Sequence, residues 1–215
     1  MYQNGICFIT DRTYARLPLY DMVRSVLEAG ITVIQYREKE KTRHEIYDEA
    51  VRLRELTRSF RALLIINDHA DIALAVDADG VHLGQDDLPL REARKIVGRR
   101  LVGISTHSIE QAIEAEAGGA DYIGFGPIFR TSTKDAGAPK GVDIIRTMKQ
   151  NVRIPVMAIG GIGLESLAEV MQAGADAVAV ATAICRGDIT QNAEAFVQII
   201  KKGSRARGCK DSGDF

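Results

Sequence analysis

Apolar runs of four or five residues alternate along almost the whole chain with segments whose apolar positions recur at helical spacing. The short runs lie at residues 6–10, 33–36, 63–66, 80–83, 101–104, 122–125, 156–159 and 177–180, and each reads as a buried parallel strand. Helical periodicity covers 19–28, 44–60, 70–76, 90–97, 109–117, 142–150 and 164–172, and a further helix at 191–202 follows the eighth strand. Eight strands in strict β–α alternation, at about 25 residues per unit, predict a (β/α)8 TIM barrel spanning residues 1–203. The rival is a doubly wound open sheet. No G-x-G-x-x-G follows the first strand, where Ile9-Thr10-Asp11-Arg12 stands instead. The pieces Ala29-Gly30, Gly118-Gly119-Ala120 and Ala173-Gly174-Ala175 place glycine at helix ends just before a strand, where successive units close. Residues 204–215 are polar and aperiodic and are expected to fray.

Composition narrows the function classes. With 46% hydrophobic and 27% charged residues among 215, the chain suits one globular domain. A formal net charge of −1 offers no electrostatic footprint for nucleic acid or a membrane surface, so any anion site must be built locally. No apolar run approaches the roughly 18 residues of a membrane span, and the first ten residues lack a signal-peptide layout. Cys7, Cys185 and Cys209 are far apart, with no Cys-x-x-Cys. They read as structural thiols in a reducing cytoplasm.

In a barrel, chemistry gathers where the strands end, because the βα loops converge there. Asn67-Asp68 follows the third strand and Asp86-Asp87 the fourth, so Asp68 and Asp87 are expected to face each other across one rim. Facing carboxylates repel unless a cation lies between them, which suggests Mg²⁺ held by oxygen ligands. Either aspartate could instead cap the helix that follows it. After the second strand, period-two geometry puts Gln35, Arg37 and Lys39 on one side and makes an anion site, against the alternative of a solvated charged loop. After the fifth strand, Thr106 or Ser108 can cap the next helix, and Ser105 is the better ligand contact. His107 reads as a loop or packing residue. The longest loop follows the sixth strand and offers Thr131, Thr133 and Lys134. Gly160 and Gly161 after the seventh strand, with Ala181 and Thr182 after the eighth, suit a phosphate held by backbone N–H groups, against a plain turn. The inventory gives two anion sites on one mouth. One is metal-assisted and suits a diphosphate, and the other is uncharged and suits a monophosphate.

These residues fall in motifs that closely resemble the thiamine phosphate synthase family: Q-Y-R-E-K at 35–39, I-N-D at 66–68 and G-V-H-L-G-Q-D-D at 80–87. They continue with S-T-H-S at 105–108, G-P-I-F-x-T-S-T-K at 126–134 and A-I-G-G-I at 158–162. The resemblance implies coupling of hydroxymethylpyrimidine diphosphate to hydroxyethylthiazole phosphate, with release of pyrophosphate. It also implies that Asp68 and Asp87 hold Mg²⁺, and that Arg37, Lys39, Asn67 and Lys134 hold the diphosphate. Gln35 and Ser105 would lie near the pyrimidine, and Thr131, Thr133, Gly161, Ala181 and Thr182 would bind the thiazole phosphate. Arg130, Ala181 and Thr182 depart from the family's usual Pro, larger aliphatic residue and Ser. Two alternatives stand beside this reading: the related thiazole tautomerase, and a non-catalytic sensor of thiamine intermediates. Neither has reason to keep both carboxylates and Lys134. Oligomeric state is not read from the sequence.

Overall fold

In the computed structural model, which describes residues 5–131 and 137–208, every strand pairs in parallel with the next and the eighth returns to the first. The strands are β1 (Ile6–Ile9), β2 (Val33–Tyr36), β3 (Leu63–Asn67), β4 (Gly80–Leu83), β5 (Leu101–Thr106), β6 (Tyr122–Phe125), β7 (Val156–Ile159) and β8 (Ala177–Val180). The helices between and after them are α1 (Leu19–Glu28), α2 (Arg43–Ser59), α3 (Ala70–Ala75), α4 (Leu90–Val97), α5 (Ile109–Ala117), α6 (Asp143–Asn151), α7 (Leu164–Gln172), α8 (Thr182–Cys185) and α9 (Ile189–Gly208). The result is a closed (β/α)8 barrel.

Period-two alternation divides each strand between two cores. Outward positions such as Phe8, Ile34, Leu64, Val81, Val102, Ile123, Val156 and Val178 pack under the helices. Inward positions, including Cys7, Ile9, Val33, Ile65, Tyr122, Met157, Ala177 and Ala179, fill the barrel itself. One inward step nearer the strand ends, the filling turns polar, at Gln35, Asn67, His82 and Ser105. That polar layer is the floor of the mouth.

The opposite end is a scaffold. Asp79, Asp121 and Asp176 each accept the backbone N–H that starts a neighbouring strand, from Leu64, Val102 and Val156 at 2.7–2.8 Å. Their charges are met by Arg54, Arg94 and Lys149. Each aspartate thereby joins a strand start to a helix, far from the loops that carry the candidate chemistry.

Two elements differ from the sequence reading. α9 runs on to Gly208, because the residues after buried Ile200 contain no proline to stop the helix. The four-residue α8 after β8 is too short to show a helical period. Cys7 and Cys185 are buried, and burial pushes both thiols up to about 12. Cys209 lies outside the described residues. Among those described, no helix is long and apolar enough to cross a membrane.

Candidate active site

The β2 loop is held rigid before it presents any charge. Thr10 at the end of β1 accepts the Arg37 N–H at 2.9 Å and returns its hydroxyl to the Arg37 carbonyl at 3.2 Å. Further along the loop, the Glu49 carboxylate of α2 receives Tyr36 Oη at 2.6 Å, Lys41 Nζ at 2.6 Å and the Arg12 guanidinium. Arg12 also meets Glu38 at 3.2 Å. Burial alone would raise the Glu49 carboxyl, yet the hydrogen bonds from Lys41, Tyr36 and Arg12 hold it below the usual carboxylate range. Arg37, Glu38 and Lys39 are thus carried on a strap fixed at both ends.

Asp68 adopts a left-handed backbone (φ +65°), a conformation that aspartate tolerates better than most residues, and its N–H donates to the His82 carbonyl at 2.8 Å. This turn places its carboxylate against the Lys39 ammonium. Asp87 folds back over its own loop and accepts the Gly84 N–H at 2.6 Å. Neither aspartate caps a helix. The residues at the starts of α3 and α4 are His69 and Pro89, and neither start has a side-chain cap. The two carboxylates meet, as the rim geometry predicts. Burial, and then the neighbouring Asp68 charge, hold Asp87 above the ordinary carboxylate range, offset in part by Lys39. A carboxylate pair short of positive charge is a fit for a hard cation. Among the described residues no third His, Cys, Asp or Glu joins the pair. Two carboxylates would be enough to hold Mg²⁺, which keeps several waters of its own and is commonly bound through one or two carboxylates and a substrate phosphate. The cleft beside the pair encloses about 600 Å³ and includes Lys39, Lys41, Arg43, Asp68 and Asp87.

At the floor, Gln35 Nε2 donates to Asn67 Oδ1 at 2.7 Å, and both side chains are buried. Asn67 sits beside His82 in the β3–β4 register. His82 Nε2 lies 2.9 Å from Ser105 Oγ, and its Nδ1 lies 3.1 Å from Tyr122 Oη. The sequence reading gives His82 and Tyr122 no role. The available signal was parity: His82 is a polar residue at the inward position of a four-residue apolar strand. Ser108, not Thr106, caps α5 by accepting the Gln111 N–H, and His107 Nδ1 bonds to the Gly126 carbonyl at 2.9 Å.

A second cleft of about 390 Å³ lies on the other side of the β2 loop. Gly160, Gly161, Thr131, Ala181 and Thr182 line it, which brings the expected phosphate residues together. Gly161 has φ +65°, and a Cβ there would meet the Arg130 carbonyl at 2.5 Å, so the loop after β6 lies directly against the turn after β7. The expectation of an uncharged cleft is corrected. Arg37, Arg130 and Arg186 are also among its lining residues, arriving from three different loops. Arg37 faces this cleft, whereas Lys39 faces the carboxylate pair. Thr133 and Lys134 lie outside the described residues.

Comparison with known proteins agrees with this geometry. Residues 6–184 match the family described as thiamine monophosphate synthase. The chain is 51% identical to a thiamine-phosphate synthase of Chloroflexus aurantiacus, over 77% of this chain and 79% of that one. It is 43% identical to a thiamine-phosphate synthase of Methanosarcina barkeri, over 92% and 91%. Among solved structures, a thiamine phosphate pyrophosphorylase from Pyrococcus furiosus superposes with a TM-score of 0.87 at 39% identity, covering 93% of this chain and 96% of that one.

Proposed function

The chain belongs to the thiamine-phosphate synthase family, and on that premise we propose that its barrel mouth joins hydroxymethylpyrimidine diphosphate to hydroxyethylthiazole phosphate, yielding thiamine phosphate and pyrophosphate. The observation that carries this reading is the Asp68–Asp87 pair, met by Lys39 at the rim and separated by the β2 loop from a glycine-lined cleft. Asp68 and Asp87 hold Mg²⁺, which when bound neutralises charge developing on the diphosphate oxygens. Lys39, Asn67 and Lys134, with Arg37 at the boundary of the two clefts, receive the diphosphate. Gln35 and Ser105 fix the aminopyrimidine ring. Thr131, Thr133, Gly161, Ala181 and Thr182 hold the thiazole phosphate.

The C–O bond to the diphosphate breaks and its electron pair leaves with pyrophosphate. The electron-rich aminopyrimidine carries the resulting positive charge until the thiazole nitrogen supplies the pair for the new C–N bond. No side-chain nucleophile is needed. The protein's part is orientation, exclusion of water and electrostatic acceptance of the leaving group. The reaction is a cytoplasmic one, in keeping with thiols that are buried and unpaired.

The test is pyrophosphate release with each substrate alone and with both, in the presence and absence of Mg²⁺. Release only with both substrates and Mg²⁺ is expected. A protein that makes no thiamine phosphate but isomerises a thiazole carboxylate phosphate would be the tautomerase instead.

A further inference from the structure

The barrel interior holds a polar chain of which the reaction scheme uses only the mouth end, Ser105. Tyr122 Oη, His82 and Ser105 Oγ form a continuous line from β6 through β4 to β5, with contacts of 3.1 and 2.9 Å. His82 and Tyr122 are 7% and 2% exposed, so both are cut off from bulk water, whereas Ser105 at the mouth end is half-buried.

The surrounding backbone is shaped to admit the chain. A Cβ on Gly103 would strike the Tyr122 ring at 2.1 Å, and one on Gly124 would press on His82 Cε1 at 3.0 Å. Neither glycine has a left-handed φ, so space rather than backbone freedom calls for glycine at both positions. Two strands have given up side chains to make room for a phenol and an imidazole.

We propose that Tyr122 and His82 are positioning residues that fix the direction of the Ser105 hydroxyl, with Tyr122 donating to His82 Nδ1, His82 Nε2–H donating to Ser105 Oγ, and the Ser105 proton turned toward the mouth. The polarity follows from donor and acceptor strength. A phenol is a stronger donor than a neutral imidazole N–H, and an imidazole nitrogen is a stronger acceptor than a phenol oxygen. With Nδ1 accepting, the proton of a neutral ring sits on Nε2. The ring is buried and its two nitrogens meet hydroxyls rather than carboxylates, so neither contact supports a second proton. Ser105 is then left with one proton and no choice of where to send it. It presents a donor to the mouth, which selects a ligand atom with an in-plane lone pair, such as a ring nitrogen. That last step rests on the reading that Ser105 meets the pyrimidine.

Two measurements decide the matter. The first needs no substrate: ¹⁵N NMR of the imidazole resonances, with His82 assigned by loss of its signals in His82→Gln. Protonation at Nε2 across neutral pH is expected, and protonation at Nδ1, or a doubly protonated ring, would overturn the assignment. The second is a kinetic cycle over Tyr122→Phe and Ser105→Ala. Tyr122→Phe should lower kcat roughly tenfold, the scale of one mis-set hydrogen bond, with the KM for the diphosphate held within about twofold. In the Ser105→Ala background the same substitution should have no further effect, because Tyr122 acts only through Ser105. Independent, multiplying losses would overturn the proposal, as would full activity in either single variant.

His82→Gln, whose carboxamide N–H can take the place of Nε2–H, should keep more activity than His82→Leu at equal Tm. Equal losses in the two would count against the relay. A wild-type enzyme that makes no thiamine phosphate would refute the proposed function, while the tautomer measurement would still decide the relay.

Discussion

Gly161→Ala tests how the second cleft is built. Gly161 has φ +65°, where an alanine costs about 1–2 kcal/mol of backbone strain. The added Cβ would stand 2.5 Å from the Arg130 carbonyl and 2.9 Å from Phe129 Cβ. Neither atom can swing away as a flexible side-chain tip can, so overpacking adds about 1–3 kcal/mol unless the whole β6 loop retreats. Reaching even a 3.0 Å separation requires a shift of 3.0 − 2.5 = 0.5 Å in that loop. A fall in Tm on the order of 10 °C is expected for a chain of this size. Because the loop carries Arg130 and Thr131 into the cleft, kcat/KM for the thiazole phosphate should drop roughly tenfold, while the KM for the diphosphate stays within about twofold. Gly163→Ala is the matched control. It lines the same cleft, its φ is −114°, and the atoms nearest its Cβ would be the carboxylate end of exposed Glu165, which can rotate away. Differential scanning fluorimetry and two-substrate steady-state kinetics read both variants. If Gly161→Ala matched the control in Tm and in thiazole kinetics, the close approach of the two loops would not shape the cleft and the reasoning would fail.

Asp87→Asn keeps an oxygen for the Gly84 N–H but removes the charge, and at least a hundredfold loss of turnover at saturating Mg²⁺ is expected; near-wild-type rates would sink the cation assignment. Its effect on stability has the opposite sign. Burial and Asp68 raise Asp87 in the folded state, so the wild type loses stability as pH rises from the ordinary carboxylate range through that raised value. The variant should be the more stable at neutral pH and lose that advantage in acid, as chemical denaturation at several pH values will show. Glu49→Gln behaves the other way. Glu49 is held below its ordinary value, so its contribution is present above the unfolded carboxylate pKa and disappears as pH falls through the folded one. A deficit of about 1 kcal/mol near neutrality, allowing for solvent screening, should fade in acid, and a deficit independent of pH would contradict the strap.

The eight strands were legible because each is a short, largely buried run bounded by turn residues, and eight of them in strict alternation with helices close a barrel. The meeting of Asp68 and Asp87 was legible for the same reason, since strand ends in a closed barrel share one rim and adjacent strands put their ends side by side. The His82–Tyr122–Ser105 line was not legible. Its members come from three strands, and their contact depends on the register that sets His82 beside Gly103 and Gly103 beside Tyr122. No local pattern records which strand a side chain will meet across a barrel interior. The charge on the second cleft was hidden by the same kind of dependence. Arg186 comes from the end of a four-residue helix with no periodic signal, and Arg130 from the loop after β6, which the Gly161 turn draws close. The glycines show the limit most sharply. Gly161 looks in sequence like a phosphate-binding turn, and Gly103 and Gly124 look like ordinary strand residues, yet all three are small because something specific occupies the space beside them. A glycine thus marks a close approach without naming what approaches, and only the register of the closed barrel supplies the partner.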